Sequence, residues 1–260
     1  MKATNGVKMT PEELKADTEL LVSTMLAQRK GRMKGGLYWS NQIEMAYNSN
    51  HIEGSKLTRD QTRAIFETKT VEGRVDVEDV IETNNHFILF GYMLDNISAP
   101  LTTEKIKTYH KILKTNTIMS REDPLFVVGG WKNRANEVGG MITTDPDKVD
   151  AAMAALCDGP QYGRMSFEDI CDFHYRFESI HPFQDGNGRV GRIVMFEQCL
   201  QSGIMPFIVL DEEKDYYYRG LREYGKEPGY LVETCRHFQD VYYAKYRDYI
   251  CPVSSTEHKA

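Results

Sequence analysis

The chain holds no Cys-x-x-Cys pair; its cysteines (Cys157, Cys171, Cys199, Cys235, Cys251) are scattered and odd in number. That argues against a thiolate metal site or a disulfide framework, and for free thiols in a reducing compartment. No apolar run reaches membrane-spanning length, and the N-terminus lacks a signal-peptide core. The expected setting is therefore cytoplasmic, with no membrane partner. A Gly-x-x-x-x-Gly-Lys-Ser/Thr motif is missing, which excludes a P-loop NTPase. His174 stands seven residues before His181 rather than four, so it reads as structural and not as half of a zinc pair. Internal repeats and low-complexity tracts are absent. The net charge of −6 offers polyanions no general surface, and Arg29-Lys30-Gly31-Arg32-Met33-Lys34 reads as a solvated linker rather than a nucleic-acid patch.

What is present is mostly helical in pattern. Thr10-Pro11-Glu12-Glu13 opens a helix expected to reach about Gln28, with an N-cap and Pro in the first turn. A second helix carries Ile43, Met45, Ala46 and Tyr47, and Thr58-Arg59-Asp60-Gln61 starts a third with a capping box. Val80, Ile81, His86, Phe87, Leu89 and Phe90 line a long buried helix. Further helices are expected at 103–113, 147–156, 167–180, 189–200 and 231–249. At 260 residues the chain can bury a substantial core. Residues 1–57 read as a helical extension and 58–260 as the main domain.

The most informative stretch is residues 181–192, His-Pro-Phe-Gln-Asp-Gly-Asn-Gly-Arg-Val-Gly-Arg. Gly186 and Gly188 permit backbone shapes that expose successive amide N–H groups, and Asn187 adds a side-chain donor. The sequence that follows looks helical, so unpaired donors and a positive dipole end would face an anion. Arg189 and Arg192 stand three apart, on one helical face. Asp185 supplies a hard oxygen ligand for Mg²⁺. Together these suit a polyphosphate with its metal.

The stretch resembles, without a mismatch, the His-Pro-Phe-x-(Asp/Glu)-Gly-Asn-Gly-Arg-x-x-Arg signature of Fic-domain proteins. The resemblance extends from about Gln42 to Phe238. It implies an all-α Fic fold: a helical array around a central motif loop with a small β-hairpin flap. It also implies AMP transfer from ATP to a protein hydroxyl, with His181 as general base and Asp185 on Mg²⁺. Gly186, Asn187 and Gly188 would form the anion hole, Arg189 and Arg192 would grip the β- and γ-phosphates, and Phe183 would anchor the loop. The chemistry agrees, because a hydroxyl is a poor nucleophile until a group such as imidazole accepts its proton.

Ser49-Asn50-His51-Ile52-Glu53-Gly54 matches the (Ser/Thr)-x-x-x-Glu-(Gly/Asn) inhibitory motif of that family. Ser49 and Glu53 share a helical face and Gly54 supplies the stop. In the family this Glu pairs with the second motif Arg, here Arg192, in the place of the γ-phosphate. Residues 126–145 carry two β-prone runs split by polar and Gly-rich sequence, a hairpin pattern. It resembles the flap that holds a protein substrate by strand addition, with Met141, Ile142 and Thr143 as the receiving strand. Tyr217 and Tyr218 resemble the aromatic pair that closes over adenine, although Gly225 stands where some relatives carry Asn. Self-modification is expected to rise when Glu53 is replaced by Gly, and family habit suggests self-association. The open alternatives are deAMPylation, another nucleotide donor, or a Fic module that binds nucleotide or protein without turnover.

Overall fold

The computed structural model describes residues 11–138, 141–158 and 164–250. Thr10, Gly139, Gly140 and Cys251 lie outside them, so the expected first N-cap, hairpin tip and last thiol are not described. The described residues are mostly helical, as the sequence pattern implies. The helices are α1 (Pro11–Lys30), α2 (Leu37–Ile52), α3 (Arg59–Glu67), α4 (Val77–Asp95), α5 (Thr103–Lys114) and α6 (Ile118–Glu122). After the loop region come α7 (Val149–Asp158), α8 (Phe167–Ile180), α9 (Asn187–Gln201), α10 (Lys214–Glu223) and α11 (Gly229–Ile250). Among these helices, no stretch is long and apolar enough to cross a membrane.

Local chemistry sets the starts. Thr58 and Gln61 close a reciprocal capping box on α3, with Gln61 N–H donating to Thr58 Oγ1 (3.2 Å) and Thr58 N–H to Gln61 Oε1 (2.9 Å). Ser166 and Asp169 do the same for α8, while Asp76 and Thr102 cap α4 and α5. Helix α9 is buried on nearly every side, which makes it the central rod. Around it α1, α2, α4, α5, α8 and α11 share one continuous core, from Leu21 and Met25 to Phe238 and Tyr242. A buried polar link ties α5 to α9: Lys105 Nζ donates to Glu197 Oε1 (2.5 Å) and Tyr109 OH to Glu197 Oε2 (2.7 Å).

The hairpin expectation needs correcting. Among the described residues, regular pairing is confined to β1 (Glu137–Val138) and β2 (Met141–Ile142), with Glu137 opposite Ile142 and Val138 opposite Met141. The Phe-Val-Val run makes no strand. Phe126 is buried against the His110 ring at 5.7 Å, and Gly130 N–H donates to Val127 O (3.1 Å) in a turn whose Gly129 has φ +75°. Core packing overrides β-propensity there. Side chains hold the segment instead: Lys132 Nζ donates to Asn136 Oδ1 (2.7 Å) and Thr143 Oγ1 (2.6 Å).

Candidate functional site

Helix α8 ends at His181, in the left-handed region at φ 50°, with its N–H donating to Phe177 O (2.9 Å). The chain then turns inward. Phe183 is fully buried, stacked on His110 with centroids 4.0 Å apart and planes 8° apart, and tilted against Trp131 at 5.1 Å. Asn187, expected to offer its side chain to an anion, is engaged on the loop instead. Its Oδ1 accepts from Phe183 N–H (2.8 Å) and its Nδ2 donates to Phe183 O (2.9 Å). Gly186, at φ +83°, delivers the chain into α9 with no side-chain cap. The first N–H to bond back within that helix is that of Val190, to Gly186 O (3.1 Å). The N–H groups before it have no intrahelical acceptor, which leaves a positive dipole end for an anion.

Both motif arginines are buried there, each with carboxylates. Arg192 donates from Nε to Ser49 Oγ (2.9 Å) and from Nη2 to Ser49 O (2.9 Å) and Glu53 Oε1 (2.6 Å). Glu53 caps α2, and Gly54 follows at φ +100°. Burial opposes ionisation of Glu53, but the Arg192 and Arg189 guanidiniums outweigh it and hold its carboxyl below the ordinary value. Gly188 makes this approach feasible. A Cβ there would collide with Glu53 Oε1 and sit 2.8 Å from Arg192 Nη1.

The first motif arginine, Arg189, belongs to a network that the sequence did not reveal. Arg189 pairs with Glu82 and lies 3.5 Å from Asp185 Oδ2. Lys114, on α5 and 1% exposed, bridges Glu82 and Asp185, at 2.5 Å from Asp185 Oδ2. The apolar periodicity of α5 places Lys114 beside buried His110 and Leu113, a signal of burial but not of its partners. Burial would raise the Asp185 pKa, yet Arg189 and Lys114 bring it down to about 2. Three cations (Lys114, Arg189, Arg192) thus face three carboxylates (Glu53, Glu82, Asp185).

Asp185 is ionised at neutral pH and partly open to solvent. Among the described residues no group of three His, Cys, Asp or Glu could hold a metal alone. A single carboxylate fits Mg²⁺, which completes its shell with phosphate oxygens and water. His181 stands at the rim of this cradle. Burial and the Lys132 charge push its pKa down to about 4, so the ring is neutral at pH 7 with a lone pair available. Lys132 reaches from the β1–β2 segment to the loop: its N–H donates to Pro182 O (2.8 Å) and its Nζ to Ile180 O (3.3 Å). Asn136 Nδ2 donates to Phe183 O (3.0 Å).

The remaining expected residues divide. Ile142 is 84% exposed, while Thr143 Oγ1 accepts from Lys132 and bonds to Asn136; Met141 belongs to β2. Of the tyrosine pair, only Tyr218 presents ring surface, at 40% exposure, with its OH donating to Ile52 O (3.1 Å). Tyr217 is 1% exposed and its hydroxyl meets His174 Nε2 (2.7 Å), so it packs the core rather than offering a face to a base. His174 is structural, as its spacing implies.

Residues 100–199 match the model of the Fic/DOC family. Over 185 residues, 68% of this chain, the sequence is 30% identical to a protein adenylyltransferase Fic of Culex quinquefasciatus. Over 184 residues it is 29% identical to one of Drosophila melanogaster. The match spans only about a third of those relatives, 35% and 36% of their lengths. A Fic-domain-containing signaling protein from Bacteroides thetaiotaomicron superposes with a TM-score of 0.72 at 21% identity, covering 96% of this chain and 99% of that one. Fic-1 from C. elegans gives 0.63 at 21%, covering 92% and 72%. At such identity the structural likeness speaks for the fold alone, which is that of the Fic proteins.

Proposed function

We propose, from the match of residues 100–199 to the Fic/DOC family model, that this chain is a protein adenylyltransferase restrained by its own Glu53. The observation that carries this reading is His181, an imidazole kept neutral at the rim of a helix N-terminus with two buried guanidiniums. The phosphate tail of ATP would take the open α9 amides, Arg189 and Arg192. His181 would accept the proton of a Ser, Thr or Tyr hydroxyl as that oxygen bonds to the α-phosphorus and pyrophosphate leaves. The amides and Arg189 meet the charge growing on the leaving group without reorganising. Asp185 would hold Mg²⁺, which when bound neutralises phosphate charge. Tyr218 would border the base, and the exposed backbone around Ile142 would receive the target segment.

Restraint follows from competition. Glu53 occupies the Arg192 guanidinium that a terminal phosphate needs, and the end of α2 brings it there. Incubation with α-labelled ATP tests both parts. Glu53→Gly should raise labelling about tenfold to hundredfold, the factor matching the ~1.5–3 kcal/mol of a charge-assisted hydrogen bond. Adding His181→Ala should cut the rate about 10²- to 10⁴-fold while calorimetry still detects ATP binding. Equal labelling of wild type and E53G at saturating ATP would remove the restraint; unimpaired labelling by H181A would remove the base. Release of AMP from a premodified protein, without incorporation, would reassign the chain to the reverse reaction.

A further inference from the structure

Beneath His181 lies a buried carboxyl that the transfer chemistry above leaves unused. Glu178 stands one helical turn earlier on α8, with Oε2 3.8 Å from His181 Nδ1. Both groups are incompletely satisfied: Glu178 Oε1 and His181 Nδ1 are buried and lack a hydrogen-bond partner. Such atoms are rare in folded proteins and call for an explanation. Gly191 supplies the room, since a Cβ there would sit 2.7 Å from Glu178 Oε1 and 3.0 Å from His174 Cε1. Nothing in the phosphate cradle requires a bare backbone at position 191.

We propose that Glu178 is a positioning residue for His181: its carboxylate accepts from Nδ1, which leaves Nε2 bare to receive the proton of the attacking hydroxyl. The inference rests on the adenylyltransferase reading. The proton ledger closes within the pair. One proton leaves the hydroxyl for Nε2, the Nδ1 proton passes to the carboxylate, and the ring ends neutral with its opposite tautomer. At 3.8 Å the two groups are within reach of a small side-chain adjustment, and catalytic hydrogen bonds commonly tighten when substrate binds.

The surroundings of Glu178 set its charge. Burial pushes its carboxyl up to about 8, Arg192 on α9 pulls the other way, and Glu53 at the end of α2 pushes up. Tyr217 on α10 and His174 on α8 complete the enclosure, both uncharged at neutral pH. Glu178 is therefore mostly protonated at pH 7 and becomes an acceptor as the pH rises through about 8. The Glu178 main-chain carbonyl also faces the ring, which is the competing way to orient it.

Two measurements on the full chain decide the matter. In the first, the His181 ring resonances are titrated by NMR in wild type and Glu178→Gln. Wild type should show a second inflection near pH 8 and the Nδ1–H tautomer above it; E178Q should lack that inflection. In the second, kcat and the KM for ATP are followed with pH in E53G and E53G/E178Q. The carboxamide should lower kcat about tenfold or more, leave KM unchanged and abolish the rise in rate on ionisation of Glu178, which in E53G lies below pH 8 because Glu53 no longer pushes it up. Glu178→Asp should restore part of it, and Gly191→Ala, which presses on Oε1, should reproduce the loss in a folded protein. Superimposable ring titrations and pH–rate profiles would overturn the proposal and leave the main-chain carbonyl as the orienting group. Failure of E53G alone to transfer AMP would defeat the functional reading, and the ring titration would still decide this one.

Discussion

Asn187 governs the shape of the signature loop. Its side chain accepts from the Phe183 N–H and donates to the Phe183 carbonyl, while Asn136 donates to the same carbonyl. Asn187→Ala therefore orphans the buried N–H but leaves the oxygen one partner. The expected cost is about 1–3 kcal/mol, seen as a fall in Tm of roughly 3–10 °C. Sequence alone expected the Asn187 side chain to face an anion, whereas it bonds to Phe183, because a spacing of four residues does not announce a loop carbonyl. Arg189, Arg192 and Glu53 were legible as charged types at telling intervals. Lys114 and Glu82 were not, since a buried ion pair between two helices leaves no local pattern.

Among the elements, the segment carrying β1 and β2 is the one that sequence read least well. Its strand propensity was visible, but two polar side chains, Lys132 and Asn136, hold it to the turn between α8 and α9, and such tertiary bonds have no period. Lys132 is the centre of that arrangement, reaching Asn136, Thr143 and Ile180 O. Lys132→Met should free the segment and so raise the KM for a protein target more than that for ATP. It also removes a positive charge that depresses the His181 pKa, so the acid limb of the pH–rate profile should move upward from about 4. An unshifted limb would show that burial alone sets that pKa. The helices were far more legible, since caps such as Thr58 act within four residues of themselves.

Across the whole molecule, titration is dominated by groups buried in one core. His86, His110 and His174 are held down to about 3 and His181 to about 4, chiefly by burial. The unfolded chain takes up these protons near 6.5, so they favour folding above that value and cost stability as the pH falls. Glu178 and Glu197 act in the opposite sense, because the folded state keeps their protons up to about 8 and about 7. Between about 4.5 and 6.5 the two sets partly cancel; below 4.5 the histidines are joined by carboxyls that their partners hold down, Asp185 and Glu53 among them, all destabilising. Thermal melts should thus change gently from pH 7 to 5 and drop steeply below 4.5. The same shared core bears on how Glu53 can let go. Most of α2 is buried, and its end is fixed by Tyr218 on Ile52 O and by Asp211 N–H on Asn48 Oδ1 (3.0 Å). Under the proposed restraint, opening asks for a rotamer change of one side chain with no helix undocking. Amide exchange along α2 should then look alike whether the latch is shut, opened by nucleotide, or deleted, so that switching would call for a better anion and not a remodelled fold.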